Sequence, residues 1–237
     1  MRILHVADIH YRLDWFEWIS QQSSNYDVLV VAGDLLNMFP CENTPLERQA
    51  HVVRDWLKTL LKPAVVCTGN HDTWMTDLRG PMDAFAEGGW LQLCKRTGII
   101  VDGQDAEIHG ERFAAVKWGG SDWPGRASIV VCHAPPSEAR VSMNAEGEDV
   151  GDFEVMMRVH EKHPKYVLSG HVHDPMDWMT LEGVSYCFNP GCDCEAREPN
   201  HIIIDTTKKI ACWNSMGQGL VSRCLDGERR QDEQATK

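Results

Sequence analysis

Five short apolar runs, each followed at once by polar groups, constrain the fold of this chain more than any other feature. They read ILHVADIH, VLVVAGDLL, AVVCTGNHD, IVVCHAPP and YVLSGHVH. Helical or loop-like segments separate these strand-like runs, and this alternation predicts an α/β fold. Ligand sites in open α/β sheets lie beyond the carboxyl ends of the strands. We therefore expect the polar groups to meet in one cleft.

The polar groups at the strand ends predict a metal site. The candidates are Asp8, His10, Asp34, Asn70, His71, Asp72, His133, His171 and His173. Taken singly each signal is weak, because a lone histidine after a strand is more often structural than a ligand. His171 and His173 are a stronger pair, since residues i and i+2 of an extended segment point the same way. The joint pattern of carboxylates, imidazoles and an amide indicates metal binding.

The remaining sequence predicts one large domain with a second sheet. We place the domain at residues 1–225 and a polar, disordered tail at 226–237 of the 237-residue chain. Helices are predicted at Leu13–Ser24, Pro45–Leu61 and Asp152–His163, with Thr44 as the N-cap of the second. Strands are predicted at Arg2–Val6 and, for the second sheet, around Arg112–Trp118, Val184–Phe188, His201–Asp205 and Ile210–Trp213.

Charge and cysteine content restrict the partners and the compartment. The 35 acidic and 23 basic residues give a net charge of -12, which disfavours long nucleic acids held through their phosphates. No apolar run reaches membrane-spanning length, and the first residues resemble a strand more than a signal peptide. The 9 cysteines are an odd number without a disulfide framework, so we expect a cytoplasmic protein with no membrane partner. Cys192 and Cys194 are interpreted as thiols in a turn, with metal ligation as the alternative.

The order of the motifs resembles a known superfamily. DxH, GD, GNHD, a single histidine after a strand, and GHxH form the motif series of the calcineurin-like metallophosphoesterases. The resemblance extends from Met1 to about Trp213, and NPG at Asn189–Gly191 is similar to a turn often found there after GHxH. It implies an α/β fold of the four-layer αββα type. Two mixed β-sheets would lie face to face with helices outside, and a di-metal site would lie at the C-terminal ends of the strands.

The resemblance also implies a set of metal ligands. One ion would bind Asp8, His10, Asp34 and His173, and the other Asp34, Asn70, His133 and His171. Asp34 would then bridge the ions, since only a carboxylate has two oxygens with enough lone pairs for both. Imidazole and oxygen ligands fit Mn, Fe, Zn or Ni better than Ca. We expect two divalent or mixed-valence ions and favour Mn or Fe, with Zn or Ni as alternatives.

The implied activity is phosphoester hydrolysis by a hydroxide shared between the two ions. His71 is predicted to protonate the leaving oxygen, while Asp72 orients its imidazole and raises its pKa. The alternative is that His71 only hydrogen-bonds groups around the ligands. Arg12 is a candidate for binding a phosphate oxygen, although a solvated side chain is the simpler interpretation.

Differences from the motifs of other branches of the superfamily narrow the range of possible substrates. The second motif, AGDLLNMF, lacks the Asp-Arg pair of the protein serine/threonine phosphatases. The chain ends soon after GHVH, unlike the DNA-repair nucleases, and has His71 where lipid-A pathway hydrolases usually have arginine. We therefore predict a phosphatase or phosphodiesterase acting on a small organic phosphate or nucleotide ester. A nuclease acting on DNA or RNA ends and a non-catalytic scaffold are the alternatives, and the oligomeric state is left open. The intact ligand set argues against a scaffold.

Overall fold

Strands dominate the architecture. The computed structural model describes residues 1–39, 44–73, 89–94, 96–120 and 122–226, so the predicted tail lies outside the described residues from 227 onward. The strands are β1 (Arg2–Val6), β2 (Val28–Ala32), β3 (Ala64–Cys67), β4 (Ile99–Val101), β5 (Gln104–Ile108), β6 (Glu111–Ala115), β7 (Ile129–Val131), β8 (Tyr166–Leu168), β9 (Met179–Glu182), β10 (Ser185–Phe188), β11 (His201–Asp205), β12 (Ile210–Ser215) and β13 (Gly219–Cys224). The helices are α1 (Leu13–Gln21), α2 (Leu46–Thr59), the short α3 (Trp90–Gln92) and α4 (Phe153–Lys162).

The described strands form two mixed sheets. The first has seven strands in the order β13-β12-β11-β1-β2-β3-β4, and the second has six in the order β5-β6-β7-β8-β10-β9. Strands β1 to β4 are parallel, whereas β11 pairs antiparallel with β1. Strands β6, β7, β8 and β10 are also parallel. The strands predicted at His201–Asp205 and Ile210–Trp213 therefore extend the first sheet, and do not belong to the second.

Alternating side chains on the strands divide the core into layers. Residues such as Ile3, Val65 and Phe188 lie in the core between the two sheets. Residues of opposite orientation in the first sheet pack against α1 and α2, and those of the second sheet pack against α4. The order of layers is helix, sheet, sheet, helix. The predicted four-layer sandwich is thus confirmed.

Local signals explain where the helices begin and end. The Asp152 side chain accepts hydrogen bonds from the backbone N–H groups of Glu154 (2.7 Å) and Val155 (3.2 Å), so Asp152, predicted as the first helical residue, is the N-cap of α4. The helix α4 ends at His163, which adopts a left-handed conformation with φ of 50°. The prediction that Thr44 caps α2 is wrong, because Pro45 occupies the N-cap position and no side chain caps that end.

Across the described ranges, no helix combines the length and hydropathy needed to cross a membrane.

Candidate metal centre

Loops after the parallel strands hold several predicted ligands in an unusual backbone conformation. The φ angle is 53° at Asp8, 48° at His10, 52° at Asp34 and 72° at His171. Non-glycine residues adopt this left-handed region rarely, at a cost of about 1–3 kcal/mol each. The loops after β1 and β2 support one another, since the His10 N–H donates to the Asp34 carbonyl (2.9 Å). Such concentrated strain is typical of functional sites.

His133, which follows β7 of the second sheet, lies against the end of the first sheet. Its Nδ1–H donates to the Ala32 carbonyl (2.7 Å), which leaves Nε2 directed at the site. That Nε2 is 3.2 Å from a carboxylate oxygen of Asp34 and 3.1 Å from the side-chain oxygen of Asn70. Burial alone would lower the pKa of His133, but the charge of Asp34 and their hydrogen bond raise it to about 9. The two sheets therefore meet through an imidazole and a carboxylate.

The close approach of the sheets at this point requires glycine. Gly33 has φ of 83°, and a Cβ built there would lie 2.4 Å from Nδ1 of His133. No side chain fits in that space without moving the imidazole. The GD motif thus supplies a carboxylate and also room for the histidine of the second sheet.

Asp8, His10 and His173 form the other part of the cluster. The Nε2 atoms of His10 and His173 are 3.0 Å apart. One Asp8 oxygen lies 3.6 Å from Nε2 of His173 and 3.9 Å from Nε2 of His133. The Asp8 carboxylate also accepts the His171 N–H, at 3.0 Å to one oxygen and 3.1 Å to the other. Hydrogen bonding to Asp8 raises the pKa of His173 to about 10.

The cluster fits divalent transition-metal ions. In the part of the chain that the structure describes, three groups have potential ligand atoms within 4.8 Å of one another: Asp8, Asp34 and His133; His10, Asp34 and His71; and His10, His173 and Cys192. Asp34 belongs to two of these groups, as expected of a bridging carboxylate. The pKa values of His133 and His173 are raised, so both imidazoles carry protons when no metal is bound. These positive charges balance the Asp8 and Asp34 carboxylates, as bound cations would do in their place. Buried carboxylates beside imidazole nitrogens are a donor set that suits such ions.

His171 contacts the cluster through aromatic neighbours and its backbone. Its ring centroid lies 5.0 Å from that of His133 and 5.2 Å from that of Trp118. Burial, and then the charge of His133, lower the pKa of His171 to about 4. The imidazole is therefore neutral at pH 7, the form in which histidine binds metals.

The role predicted for Asp72 is wrong. Its buried carboxylate accepts the N–H groups of Leu36 and Gly69, both at 2.8 Å, and so fixes the loops after β2 and β3. The ring of His71 is instead oriented by the Met38 N–H, which donates to Nδ1 (3.3 Å). Burial also lowers the pKa of His71, contrary to the predicted increase. The Asp72 carboxylate therefore binds backbone N–H groups and does not orient His71. Because Nδ1 of His71 accepts the Met38 N–H, a neutral His71 carries its proton on Nε2.

The structure also corrects the prediction for Arg12. Its guanidinium forms a two-point ion pair with Asp14, at 2.9 and 2.6 Å. It donates further to the carbonyls of Cys194 and Ala196 and lies over the Trp15 ring, 4.7 Å from the centroid. With these contacts the group anchors residues 194–196 to α1. It is not directed at the carboxylate and imidazole cluster as a phosphate-binding side chain.

Sequence reasoning missed Trp118 and underestimated Asn189. The Trp118 ring centroid lies 5.4 Å from that of His133 as well as close to His171, and no motif marks it. For Asn189, the sequence offered one signal, the NPG turn at residues 189–191. Its buried amide donates to the carbonyls of Gly170 (2.9 Å) and Val172 (3.0 Å), on either side of His171. It therefore fixes the loop that carries the GHxH histidines.

The fold and the cluster define a class of protein, the metal-dependent phosphoesterases. The sequence model of the calcineurin-like phosphoesterases matches residues 1–175 of this chain. The chain belongs to the calcineurin-like phosphoesterase family.

Solved structures share the fold at low sequence identity. The protein TT1561 of Thermus thermophilus is 14% identical with a TM-score of 0.52, and the match covers 94% of this chain and 98% of that chain. The purple acid phosphatase PPD1 from yellow lupin (Lupinus luteus) seeds is 11% identical with a TM-score of 0.57. That match covers 94% of this chain and 53% of the lupin chain. A comparison with curated protein sequences gave no significant match.

Proposed function

We propose that this chain is a di-metal phosphatase or phosphodiesterase that hydrolyses an ester of a small organic phosphate or a nucleotide. The observation that carries the proposal is the convergence of strand ends from both sheets on the Asp8 and Asp34 carboxylates. His133 comes from the second sheet, yet its Nε2 is 3.2 Å from Asp34 of the first. A non-catalytic scaffold has no need for two buried carboxylates among several imidazoles.

The described side chains would hold two ions. The proposed ligands of one ion are Asp8, His10, Asp34 and His173, and those of the other are Asp34, Asn70, His133 and His171. Their mixed oxygen and nitrogen atoms support Mn or Fe, or alternatively Zn or Ni. When bound, the ions would supply Lewis-acid binding of phosphoryl oxygens and a more acidic water molecule.

His71 is the proposed proton donor to the leaving oxygen. Its ring is half-buried next to His10, with 4.6 Å between the two centroids. In the neutral ring the Met38 N–H donates to Nδ1 and the proton lies on Nε2. The acid form is the imidazolium, which carries a proton on each nitrogen, would donate from Nε2 to the leaving oxygen and would give up the Met38 contact. Because burial lowers the pKa of His71, the protonated ring is a stronger acid, although a smaller fraction is protonated at neutral pH.

The overall charge supports a small substrate. A net charge of -12 repels a long polyanion, whereas bound cations reverse the sign of the field within the site itself. A single phosphate group experiences the local field, while a nucleic acid also experiences the surrounding acidic surface. Nucleotides and other small phosphate esters are therefore favoured over DNA or RNA ends.

The test is a rate comparison at matched metal content on esters with good and poor leaving groups. His71→Ala should keep its metals and lose about 10²–10⁴-fold in rate on an alkyl phosphate, because the alkoxide needs a proton. The loss should be much smaller on a nitrophenyl ester, whose leaving group is a stable anion. His160→Ala, on the exposed side of α4, is the matched control. An equal loss on both esters would reject the role of His71.

A second comparison tests the site as a whole. Asp34→Ala should lower the occupancy of both ions, as measured by metal analysis, and abolish hydrolysis of monoesters and diesters alike. Full activity of Asp34→Ala, or wild-type protein that hydrolyses none of a panel of phosphate esters with Mn, Fe, Zn or Ni, would refute the proposed function. Faster hydrolysis of single-stranded DNA than of nucleotides would favour the nuclease alternative.

A further inference from the structure

Two thiols lie beside the metal centre. The turn that follows Asn189 carries Cys192, whose N–H donates to the His173 carbonyl (2.8 Å). The Cys192 sulfur is 3.3 Å from the Asp8 carbonyl oxygen and 3.3 Å from the Cys194 sulfur. This sulfur separation is well beyond a disulfide bond of about 2.05 Å, and both cysteines are free in the structure. The backbone therefore ties the turn to one of the proposed metal ligands.

The Cys192 sulfur lies close to two imidazoles. Its sulfur and one ring nitrogen each of His10 and His173 are within 4.8 Å of one another. The two imidazole Nε2 atoms are 3.0 Å apart. Ligands of one tetrahedral ion, with bonds of about 2.0–2.3 Å, lie roughly 3–4 Å from each other. A small adjustment of the three side chains brings them around one cation.

Close packing prevents the turn from moving away. A Cβ at Gly191, which has φ of 67°, would lie 2.7 Å from the His173 carbonyl oxygen. The Arg12 guanidinium holds the other end of the turn through the Cys194 and Ala196 carbonyls. The sulfur of Cys192 is therefore held near the imidazoles from both sides.

We propose that Cys192 is a thiolate ligand of the ion held by His10 and His173. On binding, the thiol loses its proton to solvent and a sulfur–metal bond forms. The position then prefers a thiophilic ion such as Zn²⁺, Co²⁺ or Fe²⁺ over Mg²⁺ or Mn²⁺, because soft sulfur ligands select softer metals. The inference rests on the proposed metal centre, but it does not depend on phosphoester hydrolysis.

Cobalt absorption tests the ligand directly. Wild-type protein titrated with Co²⁺ should show sulfur-to-cobalt charge-transfer absorption in the near ultraviolet, which imidazole and carboxylate ligands do not produce. Cys192→Ser should lose this band. Cys224→Ser, which changes an exposed thiol on β13, is the matched control. Cys192→Ser should also weaken Zn²⁺ binding at least tenfold and leave Mn²⁺ binding within about twofold.

The outcomes separate this inference from the proposed function. Cobalt that binds to wild-type protein without the band, or a band that persists in Cys192→Ser, overturns the thiolate ligand and leaves the metal centre intact. Wild-type protein that binds no cobalt overturns both.

Alkylation of wild-type protein provides a second measurement that needs no folded variant. Zn²⁺ should protect Cys192 from iodoacetamide at least tenfold and leave Cys224 as reactive as before, as measured by peptide mass spectrometry. Equal modification of Cys192 with and without Zn²⁺ would again overturn the inference.

Discussion

Replacing Asn189 with alanine should destabilise the protein and weaken metal binding together. The buried side-chain amide donates to the carbonyls of Val141 (3.2 Å), Gly170 (2.9 Å) and Val172 (3.0 Å), and its oxygen accepts the Gly191 N–H (2.9 Å). Gly170 keeps another partner, because its carbonyl also accepts the Val172 N–H (2.8 Å). Four backbone groups thus lose their side-chain partner. With Gly170 set aside, the other three at roughly 1 kcal/mol each give an expected loss of about 3 kcal/mol.

Urea unfolding in the presence of a chelator measures the stability change without any contribution from metal. Asn189→Asp should cost at least as much, because an ionised carboxylate cannot donate and would face three carbonyl oxygens. Asn214→Ala is the matched control, since the amide of Asn214 makes one half-buried hydrogen bond to Glu198 (3.1 Å) and its loss should cost under about 1 kcal/mol. A change below 1 kcal/mol in Asn189→Ala, or unchanged metal affinity, would refute the argument that this side chain holds the GHxH loop.

Three further predictions address the core, the sheet contact and the α1 anchor. Burial raises the pKa of Asp102 to about 6 from 3.8, so the folded state binds more protons between these values. This group alone should lower the metal-free stability by up to about 3 kcal/mol as pH rises through this window, and Asp102→Asn should reduce the slope by that contribution in urea titrations at several pH values. Gly33→Ala should displace His133 and reduce metal occupancy at least tenfold. Gly103→Ala is the control and should not change occupancy, because Gly103 also has a positive φ (72°) but has open space around the new Cβ. Equal occupancy in the two variants would contradict the steric argument. Arg12→Ala should lower the melting temperature yet leave KM for a phosphate ester within about twofold, and a tenfold rise in KM would restore Arg12 as a substrate ligand.

The sequence predicted that the polar groups after several strands would lie close together, because the rule that places them is local. An apolar run followed by Asp8, Asp34 or His133 identifies a strand end, and parallel strands place such ends at one edge of each sheet. The bounds of β1 and β11 were predicted to the residue, since their apolar runs have clear limits. The family resemblance then supplied the four-layer order, which no local pattern contains.

The hydrogen-bond and ion-pair partners of individual polar side chains could not be predicted from the sequence. Asp72 stands next to His71 in the chain, yet its carboxylate accepts a backbone N–H of the loop after β2, the neighbouring strand. Arg12 lies two residues after His10, but its ion pair and carbonyl contacts turn it toward α1. Trp118 reaches the histidines of the second sheet from a loop without any motif. Such contacts join segments distant in sequence, and they depend on packing that no single segment specifies.

The position of β1 in its sheet affects which truncated fragments of the chain can fold and when the sheet can form during synthesis. The first strand of the sequence lies between β2 and β11, and its pairing with β11 joins Arg2 to Asp205 and Ile3 to Ile204. The family match ends at residue 175, so a fragment trimmed to that match lacks β11 and leaves one edge of β1 open. An open, apolar edge strand is a template for pairing with other chains. Such a fragment should aggregate even though it retains the motifs from DxH to GHxH. During synthesis, β1 cannot pair on this side until β11 has been made, about 200 residues later in the sequence.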